Sequence, residues 1–205
     1  MLFHHVLDEV LAAWSHIAIL RALQDAGQGM TGRELARQAD LSHQTCDRAL
    51  ARLEKLHILQ RQRGGRSHFF TLNRDHQLVK AALLPLLTAE RVFFPAFCSF
   101  LPKRVGTSAL SIILFGSVAR KQERPESDVD LCFIVRRAKD KASVQEVVHQ
   151  MAPVMLECFG AKLAPIFFTA SEFKLKAKRC APPVAAILKE GVVISGLSLR
   201  KLRNG

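Results

Sequence analysis

The sequence predicts an α+β fold in which two domains are joined by a long helix. Helical patterns in the first 74 residues lead into two short strand patterns around Gly64-Gly65. A mostly apolar helical pattern covers residues 75–104, and strand and helix patterns alternate from residue 105 onward. Because such alternation is typical of mixed sheet domains, we predict domains over 1–74 and 105–205 with a linking helix over 75–104.

The N-terminal domain begins with helices whose ends are marked by local signals. Apolar residues at helical spacing predict a helix over residues 15–26, which Gly27 ends. Thr31 and Glu34 have the spacing of a capping box, in which each side chain satisfies a free backbone amide of the next helix. Ser42 is a second N-cap residue, so another helix is expected from there to about residue 57.

Two strands are predicted over residues 58–63 and 67–72, on either side of a glycine pair that favours a hairpin turn. Helix, short helix, tight turn, helix and two-stranded ribbon is the order of a winged helix-turn-helix. The helix after Ser42 could present its first side chains to base edges in a major groove, and the ribbon tip could contact phosphates or a minor groove. The predicted DNA-binding residues are His43, Gln44, Thr45, Arg48, Arg52, Arg61, Arg63 and Arg66. A small helical domain with a solvated basic face, or a winged helix that contacts proteins, explains the same pattern.

Composition and charge favour a polyanionic partner, most simply double-stranded DNA. The 205 residues carry a formal net charge of +12 with a pI near 10.0, and residues 136–205 alone hold 13 Lys and Arg against 5 Asp and Glu. A basic surface without such a partner is an equal explanation. Five scattered cysteines without a C-x-x-C pair predict reduced thiols and a cytoplasmic location rather than a zinc site.

The linking helix is too apolar for a solvated connector, which favours a role as a homodimer interface. Packing into a core is an equal explanation, and Pro85 and Pro95 are expected to kink the helix. No uninterrupted apolar run reaches about 18 residues, so no membrane span is expected.

The segment Ile112 to Val135, IILFGSVARKQERPESDVDLCFIV, carries the chemistry. A buried strand ends at Gly116 and Ser117, where a helix is expected to begin. Glycine lets the backbone approach a ligand, and a serine hydroxyl beside free helix amides is suited to phosphate. Arg120 follows one turn later and could bind the same phosphates.

Asp128 and Asp130 open the next apolar strand. Residues i and i+2 of a strand face the same side, about 7 Å apart along the chain. Two such carboxylates can hold Mg²⁺ on a nucleoside triphosphate. A solvated loop edge is the simpler explanation of paired acids, but the apolar run Leu131–Val135 buries this strand.

The pattern GS-V-A-R followed by S-D-V-D-L resembles the nucleotidyltransferase superfamily of DNA polymerase beta, most of all its minimal prokaryotic branch. With a MarR- or ArsR-like winged helix before it, the chain resembles prokaryotic regulators that fuse the two modules. The resemblance covers roughly residues 105–196 and 10–75. It implies nucleotide binding by Gly116, Ser117 and Arg120, and Mg²⁺ with NTP on Asp128 and Asp130 as catalytic, metal-binding residues. Lys121 stands where the family often has glycine.

The chain departs from the family at its third carboxylate. Active members have an acid on the next core strand, and the matching run KLAPIFF, from Lys162 to Phe168, has none. Glu157 and Glu172 flank the strand and would need an unusual path to the site. We therefore expect a DNA-binding transcriptional regulator with a nucleotide-binding domain. The alternative is an active enzyme that moves NMP from NTP to a protein, small-molecule or RNA hydroxyl, in a toxin–antitoxin pair or alone.

Overall fold

The computed structural model describes residues 3–65 and 67–204. The chain divides within a long helix, between Phe93 and Phe94, into two compact units. Each unit combines helices with a β-sheet of its own, which confirms the predicted α+β class.

The first unit is a helical domain with a three-stranded antiparallel sheet in the order β1-β3-β2. The hairpin register pairs Leu59 with Leu72 and Gly64 with Ser67. Buried side chains from α2, α3 and α4 form its core, with Ile19, Leu35 and Leu53 fully buried. Its elements are α1 (Val6–Val10), α2 (Trp14–Leu23), β1 (Met30–Thr31), α3 (Gly32–Gln38), α4 (His43–Lys55), β2 (Leu59–Gly64) and β3 (Ser67–Leu72).

Helices α3 and α4 begin where the caps predict. The Thr31 hydroxyl accepts from the Glu34 amide at 3.3 Å, and the Glu34 carboxylate accepts from the Thr31 amide at 2.8 Å. The Ser42 hydroxyl accepts from the Thr45 amide at 3.2 Å. Asp40 turns the chain between the two helices with a positive φ of 52°, a conformation that Asp tolerates better than most residues.

The long helix is offset from its predicted position. A π-helical turn (Val79–Leu83) leads into α5 (Leu84–Val105), and a 3₁₀ turn (Gly106–Ser108) follows. The helical stretch therefore begins after residue 75 and ends at Val105, one residue beyond the predicted linking segment 75–104. Arg91 and Glu90 of α5 pair with Asp25 and Arg21 within the first unit.

The helical stretch Val79–Ser108 is long and apolar enough to cross a membrane, with a mean hydropathy of 1.4 over its most apolar window. The sequence prediction was based on uninterrupted apolar runs, so it did not identify this helix as long and apolar enough to span a membrane. A single helix of this kind is weak evidence for a membrane, because core helices have the same length and composition. The absence of a membrane partner stays a prediction.

The second unit is built on a four-stranded mixed sheet in the order β6-β5-β4-β7. Strand β5 runs antiparallel to β4 and parallel to β6, and β7 runs antiparallel to β4. Beyond the end of α5, its elements are β4 (Ala109–Phe115), α6 (Gly116–Ala119), β5 (Val129–Val135), α7 (Ala138–Phe159), β6 (Leu163–Thr169), α8 (Ala170–Lys178), α9 (Val184–Glu190), β7 (Val192–Gly196) and α10 (Leu199–Asn204).

Alternate residues of the two central strands enter two separate cores, as the period of a strand requires. Leu114 and Phe133 lie in one core with the apolar face of α7, including Val144 and Met155. The other face packs against α8 and α9. The central strands are therefore buried on both sides, and polar groups are confined to their ends.

Helix α7 begins at Ala138, soon after β5, and the short edge strand β7 was not predicted. The C-terminal residues form α10, whose Leu202 is buried. Gly205 lies outside the described residues.

The cap of α8 gives a test of the second unit's stability. Thr169 is buried, its hydroxyl accepts from the Glu172 amide at 3.1 Å, and its own amide donates to the Glu172 carboxylate at 2.8 Å. We expect Thr169→Ala to lower the free energy of unfolding by about 1 kcal/mol, measured by urea denaturation. Ser171→Ala, an exposed change in the same turn, is the control and should change it by under about 0.5 kcal/mol. Equal effects would contradict the cap's contribution.

Candidate functional site

Gly116 lies where β4 ends, directly beside the acidic residues of β5. The antiparallel register pairs Phe115 with Asp130, so the turn after β4 faces the start of β5. Gly116 has a positive φ of 73°, and a Cβ built on it would lie 2.0 Å from the Asp130 Oδ2. Only glycine fits this turn, because any side chain would displace the carboxylate.

Asp128 directly precedes β5 and Asp130 is its second residue, so the two carboxylates lie near each other. Burial raises the pKa of Asp130 above its usual range, and the negative charge of Asp128 raises it further. Arg120 opposes this, and Glu190 adds to it. Four ionisable side chains, from β5, α9 and the loops after α6 and before β5, therefore act on one another here.

Arg120 directly follows the single helical turn α6. Its side chain contacts a residue that the sequence analysis did not single out. Its Nη1 donates to the Glu190 Oε1 at 2.5 Å, and its Nε donates to the Gln122 Oε1 at 3.1 Å. Glu190 is the last residue of α9, and its side chain is 20% exposed. The predicted phosphate-binding arginine is thus already paired with a carboxylate.

Strand β6 carries no acid, and a lysine directly before it pairs with Asp128. Strand β6 lies parallel to β5 with Leu163 opposite Val129, and the Val129 amide donates to the Lys162 carbonyl at 2.8 Å. This register brings the Lys162 Nζ to 3.2 Å from the Asp128 Oδ1. Since the pair is largely exposed, it contributes under about 1 kcal/mol of stability, but it puts a positive charge on a predicted metal ligand.

Neither of the acids considered in the sequence completes the site. Glu172 follows β6 at the opposite end of the sheet, where it caps α8 and pairs with Lys141. Glu157 is exposed near the end of α7, with no hydrogen bond or ion pair among the described residues. Within that part of the chain, no three His, Cys, Asp or Glu side chains cluster closely enough to hold a metal ion.

Ser117 and Lys121 complete the turn after β4. Ser117 is half-buried, and its carbonyl accepts from the Gln122 amide at 2.9 Å. Because α6 is one turn long, its dipole at Ser117 is smaller than that of the full helix expected. Lys121 has a positive φ of 57°, which explains in backbone terms why the family often has glycine there.

The first residues of α4 form the predicted base-reading face. His43, Gln44 and Arg48 are exposed, and the His43 Nδ1 lies 3.5 Å from the Asp47 Oδ1. Thr45 is half-buried, and its hydroxyl accepts from the Ser42 hydroxyl at 2.8 Å. Thr45 therefore serves the cap, and its exposed neighbours are freer to contact a ligand.

Among the predicted DNA-binding arginines, two are paired with carboxylates. The Arg52 Nε donates to the Glu9 Oε2 at 2.9 Å, and the Arg61 Nε lies 3.0 Å from the Glu54 Oε1. Arg63 is exposed on the wing and has no ion pair within residues 3–65 and 67–204. Arg66 lies outside the described residues. The structure thus leaves Arg48 and Arg63 as the arginines most available to an external anion.

Comparison with known proteins agrees with these two units. Residues 96–180 match the family described as nucleotidyltransferase domain, and residues 15–60 match the family described as winged helix-turn-helix DNA-binding. Glu190 lies beyond the first match. No curated protein matches the chain.

A solved structure described as the crystal structure of the toxin–antitoxin with AMP-PNP is 14% identical to the chain. The alignment covers 50% of this chain and 72% of that one, with a TM-score of 0.30, which is too low to indicate a shared fold. The two family matches confirm the resemblance inferred from the Gly-Ser and Asp-x-Asp motifs and from the helix order. The chain therefore joins a winged helix-turn-helix DNA-binding domain to a nucleotidyltransferase domain.

Proposed function

We propose that the chain is a dimeric, cytoplasmic transcriptional regulator that binds double-stranded DNA and carries a nucleotide-binding domain without turnover. The observation that carries the proposal is that no acid lies on β6, while the ammonium group of Lys162 pairs with Asp128. A domain that has lost this acid while keeping its phosphate-binding turn is better suited to holding a nucleotide than to transferring it.

DNA binding rests on the capped N-terminus of α4 and on the wing. His43, Gln44 and Arg48 stand exposed on the first turns of the helix that would enter the major groove. Arg48 could bind guanine through two hydrogen bonds, and Gln44 could do so with adenine. Arg63, on the hairpin, would contact a phosphate and position the helix.

The homodimer is supported by geometry and by exposed apolar side chains. One recognition helix reads one half-site, so a regulator of this class commonly binds a palindrome as a dimer. On the linking helix, Leu86 is 55% exposed and Val92 is 48% exposed, more apolar surface than a solvated helix needs.

Nucleotide binding is supported by the glycine turn and by its charged neighbours. Gly116 leaves the backbone open to a phosphate, and Ser117 adds a hydroxyl. Arg120 could turn from Glu190 to the phosphates, because both acceptors are anionic. Asp128 and Asp130 offer the oxygen ligands that Mg²⁺ prefers and would hold one ion on the NTP, where it would neutralise phosphate charge. A second metal ion, as used in transfer, would have to compete with Lys162 for Asp128.

The second candidate function is an active nucleotidyltransferase, which moves NMP to a protein, small-molecule or RNA hydroxyl. The intact set of Gly116, Ser117, Asp128 and Asp130 favours it. Glu190 is the acid closest to serving in place of the missing one, but Arg120 holds its carboxylate. This enzyme would need that ion pair and the Lys162–Asp128 pair to open together.

The first prediction from the proposed function concerns DNA binding. We expect Gln44→Ala/Arg48→Ala to weaken binding to the promoter DNA of its own gene at least about tenfold, because each base contact is worth roughly 1–3 kcal/mol. Arg63→Ala should weaken binding to all sequences and reduce the salt slope by about 1. Fluorescence polarisation at several salt concentrations measures both effects. Lys80→Ala, an exposed change outside α4 and the wing, is the control. Absence of salt-sensitive binding at low ionic strength would contradict DNA binding.

The second prediction concerns the glycine turn. Gly116→Ala should weaken binding of a fluorescent ATP analogue with Mg²⁺ at least about tenfold, because its Cβ would displace the Asp130 carboxylate. Gly160→Ala is a matched control, since Gly160 has a similar φ of 63° and open space around its Cβ position. Both variants should share the strain of a left-handed alanine, and only the first should lose affinity. Unchanged affinity in Gly116→Ala would exclude this turn as the nucleotide site.

The third prediction separates binding from turnover. With labelled NTP, Mg²⁺ or Mn²⁺ and cell extract, we expect the wild type to transfer no more label than Asp128→Ala/Asp130→Ala does. Lys162→Glu should tighten Mg²⁺-dependent NTP binding, because it adds a carboxylate beside Asp128 and removes the competing ammonium group. Lys178→Glu makes the same charge change at an exposed position of α8 and should have no effect. Transfer by the wild type that the double variant loses would establish the enzyme instead.

A further inference from the structure

A cavity lies at the end of the C-terminal sheet that is opposite the glycine turn. It has a volume of about 870 Å³ and is lined by residues 106–110, 136–143 and 195–197, excluding 138, 141 and 142. These are the start of β4, the segment after β5 and the end of β7. Strand β4 separates it from Gly116 by six residues, about 20 Å by the strand rise.

The charge of this lining favours an anion. Arg136, Arg137 and Lys139 face one acid, Asp140. The Asp140 Oδ2 already accepts from the Arg137 Nε and the Arg137 amide, both at 3.2 Å. The Arg136 side chain is exposed and makes no hydrogen bond or ion pair in the part of the chain that the structure describes, and the Lys139 side chain, whose charge acts on Asp140, has no ion pair there. Two cations therefore remain available to a ligand.

The walls of the cavity are held in place before any ligand binds. The hydroxyl of Ser111, which is buried, donates to the carbonyls of Ser195 and Leu197 at 3.2 and 2.9 Å. A Cβ on Gly196 would lie 2.1 Å from the Leu110 carbonyl oxygen, so β7 can lie this close to β4 only with glycine there. A preformed wall lowers the ordering that a ligand must impose.

The remaining lining residues suit a small organic phosphate better than a metal or an apolar peptide. Thr107, Ser108 and Ser143 supply hydroxyl groups, and Ala109 and Leu110 supply a small apolar surface. The cations would repel a metal ion, and no aromatic side chain lines the cavity to hold a peptide. An arginine fork matches phosphate oxygens, and the positive end of the 22-residue helix α7 adds to the attraction.

We propose that this cavity is a second ligand site, separate from the glycine turn, that binds a phosphate-bearing small molecule through Arg136 and Lys139. Its volume lies within the range of small-molecule sites, roughly 300–1,000 Å³, and exceeds what a single phosphate group needs. The ligand's phosphate lies at Arg136 and Lys139, and its organic part lies along Ala109 and Leu110. The proposal does not depend on DNA binding or on nucleotide binding at Gly116.

The test is titration of the full chain with inorganic pyrophosphate in EDTA, followed by calorimetry. We expect saturable binding that Arg136→Gln/Lys139→Gln weakens at least about tenfold, since it removes two charge-assisted contacts. Lys178→Gln/Arg179→Gln removes the same charge from exposed positions outside the cavity and should change affinity by less than about twofold. Arg120→Gln, at the glycine turn, should also leave this binding unchanged.

Amide resonances of the wild type give a second readout that needs no variant. Pyrophosphate should shift the Gly106 and Gly196 signals, which line the cavity, and leave Gly160 unchanged. Absence of saturable binding, equal affinity in all variants, or loss only in Arg120→Gln would overturn the proposal. A single-stranded oligonucleotide is the comparison ligand. If the double variant weakened only oligonucleotide binding, the surface would belong to nucleic acid, and the proposed small-molecule site would be wrong.

Discussion

The charged site of the C-terminal domain depends on the antiparallel register of β4 and β5. Pairing of Phe115 with Asp130 brings the turn after one strand against the start of the other. The contact closes only because Gly116 has no side chain, since a Cβ there would lie 2.0 Å from a carboxylate oxygen. A shift of one residue would move Asp130 to the opposite face of the sheet, and the glycine would no longer be required.

Two ion pairs join four of the charged side chains at the site. Arg120 is bound by Glu190, and Asp128 is paired with Lys162. In each pair, a side chain that could bind phosphate or metal is already paired with a residue of the same chain. An external phosphate or metal ion must therefore displace that residue. Asp130 has no ion pair among the described residues, and its raised pKa reflects burial beside a second carboxylate.

Local signals in the sequence predicted the features that depend on neighbouring residues. The caps at Thr31 and Ser42, the hairpin glycines and the Gly-Ser and Asp-x-Asp motifs each act within a few residues, and the structure has them where expected. Glu190 was missed because its partner Arg120 lies 70 residues away, and only the packing of α9 brings the two together. The absence of an acid from the run that forms β6 was visible in the sequence. That Lys162 meets Asp128 depends on a parallel register that no local signal encodes.

The separation of charge between the two ends of the sheet follows from the burial of its central strands. Unpaired charges are costly to bury, so ionisable residues are displaced to the loops that precede and follow each strand. At one end, Asp128 before β5, Asp130 at the start of β5 and Glu190 at the end of α9 lie with Arg120 and Lys162. At the other, the loop after β5 and the start of α7 bring Arg136, Arg137 and Lys139 against Asp140 alone. The basic excess of residues 136–205 is therefore concentrated in part around a cavity with walls already in place, and a concentrated charge binds a compact anion better than a dispersed one does.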